Sequence, residues 1–169
     1  SAANPQQFLT EVVPVIEAGG TAPTVAEIAF PVQLAAKAYL PLMKAGKLDT
    51  VRMLSKGLQE RLAQLGNPNN WFQADALAYY TALEQANPEQ FIKEALPLAT
   101  LVEFAGTPEE VDAYIALLQK LYLPLMKADR FEEAQQLYRT LNEASIGMRG
   151  SRGKYGNERT YMIVIQNQK

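Results

Sequence analysis

The sequence predicts an all-α fold built from an internal repeat, on three observations. The string Tyr39-Leu40-Pro41-Leu42-Met43-Lys44-Ala45 recurs without change as Tyr122-Leu123-Pro124-Leu125-Met126-Lys127-Ala128. Asn-Pro pairs stand at Asn4-Pro5, Asn67-Pro68 and Asn87-Pro88. Asn caps a helix N-terminus well, and Pro suits the first helical position because its missing N–H has no helical partner there. Between these starts the apolar residues follow helical spacing, and no convincing alternating run occurs before residue 159.

The repeat has one register. Asn4-Pro5-Gln6-Gln7-Phe8 returns as Asn87-Pro88-Glu89-Gln90-Phe91, at the same 83-residue offset as the seven-residue string. Glu11 and Glu94, Pro14 and Pro97, Thr24 and Thr107, Lys37 and Lys120, Leu54 and Leu137, and Leu58 and Leu141 keep that offset. Residues 4–65 thus pair with 87–148 without a gap, which points to duplication of an ancestral unit. The expected organisation is a helical-repeat domain over 1–148, with copy one at 4–65, a linking helix at 67–86 and copy two at 87–148. A tail of 149–169 follows.

Each copy reads as three helices, and with the linking helix the total is about seven. The first helix starts at Asn-Pro, and Pro14 and Pro97 inside it are expected to kink or break it. The second begins near Thr24 or Thr107. Thr107-Pro108-Glu109-Glu110 combines a capping hydroxyl, a first-position Pro and acidic residues at the positive helix end. Val111, Ile115, Leu118 and Tyr122 then form one apolar stripe. Pro31 is expected to interrupt this helix in copy one, and Pro41 and Pro124 to bend it in both copies. The third helix follows the turn Gly46-Lys47 or Asp129-Arg130. Trp71, Asp75, Leu77, Tyr80 and Leu83 carry the linking helix to about Ala86.

The segment Leu125-Met126-Lys127-Ala128-Asp129-Arg130-Phe131-Glu132-Glu133-Ala134-Gln135-Gln136-Leu137-Tyr138 resembles the inter-helix turn of tetratricopeptide repeats, and Leu42–Val51 resembles it too. In that family a small residue turns the chain, an aromatic or Leu follows, and Ala or Val packs between helices. Leu98-Ala99, Gly106, Glu110-Val111 and Leu118 form a third partial match. The spacing departs from the family's regular step, and Tyr39 and Tyr122 stand where it uses a small residue. The resemblance implies a tetratricopeptide-like α-solenoid, and peptide or protein binding as its function.

Composition narrows the chemistry. The chain has 169 residues, 48 % hydrophobic and 20 % charged, which is ordinary for a globular domain with a core. The net charge of −2 gives no whole-molecule attraction to nucleic acid or acidic membranes, and no apolar run is long enough for a membrane helix. With no Cys and no His, disulfides, thiolate catalysis, imidazole bases and imidazole metal ligands are excluded. No serine lies in a nucleophile elbow, no glycine stretch forms a phosphate cradle, and no spaced acidic loop suits calcium. Glu109, Glu110 and Asp112, and likewise Glu132 and Glu133, cluster at helix starts, where they balance the helix dipole. No cofactor is expected. The small residues Ser1-Ala2-Ala3 suit a cleavage site after a removed targeting peptide, which would fit an exported or organellar protein.

Candidate binding residues are aromatic and basic. Trp71, Phe72, Tyr79 and Tyr80 crowd the linking helix, and Tyr39 and Tyr122 stand at equivalent places. They suit either core packing or a peptide groove. Lys37 and Lys44, and again Lys120 and Lys127, are seven residues apart on one expected helix face, a stripe able to clamp an acidic peptide. The tail carries Arg149, Arg152, Lys154, Arg159 and Lys169 against Glu158 alone. Its basic, glycine-rich run with Tyr155 suits nucleic acid or another anionic ligand, or an acidic protein surface. Arg159 to Gln166, with Tyr161 in it, reads as a β-strand that pairs in a hairpin, with a partner's sheet, or between subunits. The function expected is a non-catalytic interaction scaffold or assembly subunit, with self-association of so short a solenoid. The alternatives are a nucleic-acid or anionic-ligand binder using the tail, and an enzyme built on carboxylates and lysines.

Overall fold

The computed structural model describes residues 5–66, 68–99 and 108–149, and these are helical with short turns. The chain divides into two compact units, Ser1–Phe91 and Ile92–Lys169. The expected strand over 159–166 lies outside the described residues.

The first unit holds α1 (Pro5–Gly19), α2 (Val25–Lys44), α3 (Leu48–Gln64) and α4 (Pro68–Ala86). Helix α5 (Pro88–Ala95) crosses the division, and the second unit holds α6 (Pro108–Gln119), α7 (Tyr122–Lys127) and α8 (Phe131–Arg149). The Asn-Pro starts are where the sequence places them: α1, α4 and α5 each begin on the Pro. Asn87 Oδ1 accepts from the Gln90 amide at 3.1 Å, and Thr24 Oγ1 accepts from the Glu27 amide at 3.3 Å. Each side chain satisfies an amide that the first turn leaves without a helical acceptor.

The turns after the repeated string match bond for bond. Lys47 N donates to Leu42 O at 2.9 Å and Gly46 N to Met43 O at 3.0 Å; Arg130 N donates to Leu125 O at 2.9 Å and Asp129 N to Met126 O at 3.2 Å. This is a Schellman closure, which needs a left-handed residue. Gly46 supplies it in one copy at φ 75°, and Asp129 in the other at φ 56°. The next helices then start at corresponding positions, Leu48 and Phe131.

The interruption expected at Pro31 does not occur. Helix α1 runs unbroken through Pro14, and α2 runs unbroken through Pro31 and Pro41. In copy two the corresponding helix is divided: α6 ends at Gln119, Lys120 and Leu121 form a turn, and α7 begins at Tyr122. The turn amides of Lys120 and Leu121 bond three residues back, to Leu117 O at 3.1 Å and Leu118 O at 3.0 Å. Pro41 and Pro124 occupy the same string, so proline alone does not decide the outcome. Helix α2 is packed by α1, α3 and α4, and that burial holds its axis together where local bonding is weakened. Pro97 does end regular α-helix, since residues 96–99 form a 3₁₀ turn.

The core of the first unit is the seam where α1, α2, α3 and α4 meet. Ile16, Ile28, Ala35, Tyr39, Leu42, Val51, Leu58, Leu62 and Leu83 are all buried there. Gly19 permits the close approach of α1: a Cβ on it would lie 2.6 Å from Pro31 Cβ and 2.7 Å from Leu58 Cδ2. Arg61 Nε donates to Ala22 O at 2.6 Å and ties α3 to the α1–α2 turn. In the second unit α6 and α7 pack on α8, burying Val111, Ile115, Leu118, Tyr122, Leu125, Leu137 and Leu141. The apolar stripe expected over Val111 to Tyr122 is therefore buried along its length, although its last residue lies on α7.

Candidate functional site

A carboxylate stands at the centre of the first unit. Asp75 on α4 is fully buried, yet its neighbours along the helix are core residues: Tyr79, Ala82 and Leu83 follow at i+4, i+7 and i+8. An acid in such a stripe needs partners, because an unpaired polar group in the interior is costly. Three side chains supply them. Tyr39 Oη on α2 donates to Asp75 Oδ1 at 2.6 Å, and Ser55 Oγ on α3 donates to Oδ2 at 2.6 Å. Gln59 Nε2, one turn further along α3, donates to Oδ2 at 3.0 Å and lies 3.0 Å from Ser55 Oγ.

Burial dominates the electrostatics of this cluster. It raises the Asp75 carboxyl above its ordinary range, and the hydrogen bonds from Ser55, Tyr39 and Gln59 pull the value part of the way back. The Tyr39 phenol is raised too, first by its own burial and then by the negative charge of Asp75 beside it. Tyr39 therefore keeps its proton and donates it. Tyr39 meets Tyr79 edge-on with ring centroids 6.3 Å apart, Tyr79 meets Tyr80 at 5.1 Å, and Tyr80 tilts against Phe91 at 6.3 Å. Polar and aromatic contacts together bind α2, α3, α4 and the start of α5 into one unit.

The sequence-predicted binding residues divide by burial. Tyr39 and Tyr122 are buried, which fits the core packing that the sequence allowed beside a groove. Tyr80 is half-buried in the aromatic row. Lys44 and Lys127 are exposed at the ends of α2 and α7. Lys37 and Lys44 share one face of the unbroken α2, as expected. Lys120 lies in the turn between α6 and α7, so Lys120 and Lys127 do not share a helix and the second stripe is not formed as predicted. Trp71 lies on α4 and Arg149 ends α8, but their side chains are outside the described residues, as are Arg152, Lys154, Tyr155 and Tyr161. The acidic start of α8 is engaged locally: Arg130 Nε donates to Glu133 Oε1 at 2.6 Å, and that pairing holds the Glu133 carboxyl below its usual range.

Two features escaped the sequence reading. One is the Asp75 cluster, whose signal was an Asp in phase with the core stripe of α4. The other is Phe30, at 62 % the most exposed large apolar residue among the described residues. It precedes Lys37 by seven residues and so stands on the same face of α2 as Lys37 and Lys44. Neither lysine makes an ion pair among the described residues. Among the described residues no group of acidic side chains is placed to hold a metal, and no helix is long and apolar enough to cross a membrane.

Comparison with known proteins adds no relative: no family model, no curated protein and no solved structure matches this chain.

Proposed function

We propose that the protein is a non-catalytic interaction scaffold of tetratricopeptide-like repeats, and that the outer face of α2 receives an acidic, partly apolar segment of a protein partner. The observation that carries this reading is the combination on that face of exposed Phe30 with Lys37 and Lys44 at seven-residue steps. An α-helix rises about 1.5 Å per residue, so the three side chains form a line roughly 20 Å long. An exposed Phe anchors apolar contact, and two cations beside it select carboxylates and speed encounter. The Asp75 cluster supports the non-catalytic half of the reading, because its acceptors are occupied by Tyr39, Ser55 and Gln59 of the chain itself.

Photo-crosslinking tests the proposal. A benzoylphenylalanine replacing Phe30 is expected to capture a partner in extracts of the native source through a segment rich in Asp and Glu. The same group replacing exposed Gln85 on α4 is expected to capture far less. Lys37→Glu with Lys44→Glu should abolish the adduct, and added salt should weaken it. Equal labelling from both positions, a captured segment without acidic residues, or a yield unchanged by charge reversal overturns the reading.

A further inference from the structure

The outer face of α2 is complementary to itself. Ala26, Phe30, Gln33, Lys37, Leu40 and Lys44 follow one another at steps of four and three residues, the spacing of a single helix stripe. All are exposed except half-buried Leu40. The buried residues of α2, among them Ile28, Val32, Ala35, Tyr39 and Leu42, lie on the opposite side, against α1, α3 and α4. At about 1.5 Å per residue the stripe is about 27 Å long, enough for a short helix-on-helix seam.

Charge and apolar surface are distributed unevenly along it. Glu27, beside Ala26, stands in the first turn of α2 and Lys44 in the last. Phe30 lies toward the first turn and Leu40 toward the last. The stripe can be laid end for end on a copy of itself, centred between Gln33 and Lys37. Phe30 then meets Leu40, Gln33 meets Lys37, and Ala26 with its neighbour Glu27 meets Lys44. A two-fold axis makes each of these contacts twice. Laid in the same direction, the stripe would set Lys37 on Lys37 and Lys44 on Lys44, and like charges repel. Glu27, Lys37 and Lys44 make no ion pair among the described residues, so antiparallel pairing breaks none there.

We infer that the outer face of α2 pairs with the same face of a second copy of this chain, antiparallel, about a two-fold axis between Gln33 and Lys37. Phe30 on Leu40 supplies the apolar contact at two places, and Glu27 with Lys44 supplies the charge contact at both ends and fixes the direction. The inference rests on the reading of this face as a binding surface and adds its regulation: Phe30, Lys37 and Lys44 cannot hold a second copy and an acidic partner at once. One helix pair is a small interface, so the pairing is weak and depends on concentration.

Sedimentation equilibrium of the purified full chain, from about 10 µM to about 1 mM, tests it. The parent should pass from monomer toward dimer over that range. Lys44→Glu sets two acids against each other at both ends, and Glu27→Lys sets two bases. Each variant is expected to weaken pairing by roughly tenfold or more, with its helix content by circular dichroism unchanged. An equimolar mixture of the two variants should pair about as tightly as the parent, because each end then opposes an acid to a base. One chain carrying both changes should do the same. A chain that stays monomeric throughout, a dimer indifferent to both charge reversals, or a mixture no tighter than either variant alone overturns the inference. No other protein is present in this assay, so its failure leaves the acidic-partner reading standing. Failed capture through Phe30, with pairing intact, removes that reading alone.

Discussion

Removing the buried carboxylate should destabilise the first unit far more than a surface change would. In Asp75→Ala the Tyr39 hydroxyl, the Ser55 hydroxyl and the Gln59 amide lose their acceptor together. Each deeply buried donor left unsatisfied costs about 1–3 kcal/mol. Tyr39 and Ser55 are buried, while half-buried Gln59 can turn to water. Loss of the carboxylate also relieves the cost of holding a charge in the core, which offsets part of the damage. The net expectation is a loss of about 3 kcal/mol. Asp75→Asn keeps the shape and one acceptor oxygen for Ser55 and Gln59, and its NH₂ can donate to the Tyr39 oxygen. Its expected cost is below about 1.5 kcal/mol. The assay is equilibrium urea unfolding followed by far-UV circular dichroism and Tyr fluorescence. With a slope of about 1–3 kcal/mol per molar, the Ala variant should lower the midpoint by at least about 1 M, and the Asn variant by much less. If Asp75→Ala stays within about 0.5 kcal/mol of the parent, the range of an ordinary surface substitution, the cluster does not hold the helices together.

The same carboxylate sets the direction of a pH dependence. Its folded pKa is raised, so the stability it contributes is complete below the unfolded value of about 3.9 and is lost as pH rises through the folded value. The parent should therefore gain on Asp75→Asn as pH falls from neutral, and a constant difference across that window would contradict the assignment. The left-handed turn positions give a reciprocal pair: Gly46→Ala should cost about 1 kcal/mol, and Asp129→Gly should stabilise the second unit by several tenths, both read as shifts in thermal midpoint. Gly19→Ala should cost about 1–3 kcal/mol, because the added methyl meets Pro31 and Leu58 at less than contact distance. An unchanged midpoint would mean that α1 moves aside freely.

Much of the architecture is written locally. The Asn-Pro starts, the Thr24 cap and the Gly46 or Asp129 turns depend on hydrogen bonds and backbone preferences spanning four or five residues, so the sequence alone determined the helix starts and the repeat register. Tertiary structure decided what those local rules leave open. One seven-residue string lies inside an unbroken helix in one copy and follows a break in the other. The string is identical in both copies, so it does not by itself decide whether a proline-weakened turn is held. Tyr39 and Tyr122 could have lined a groove by spacing alone, but burial is a property of three or four helices meeting, and it places both in the core. Asp75 shows the same limit most plainly. Its position in the apolar stripe is visible in the sequence, but Tyr39, Ser55 and Gln59 become its donors only when α2, α3 and α4 converge, because residues 16, 20 and 36 places apart have no local reason to meet.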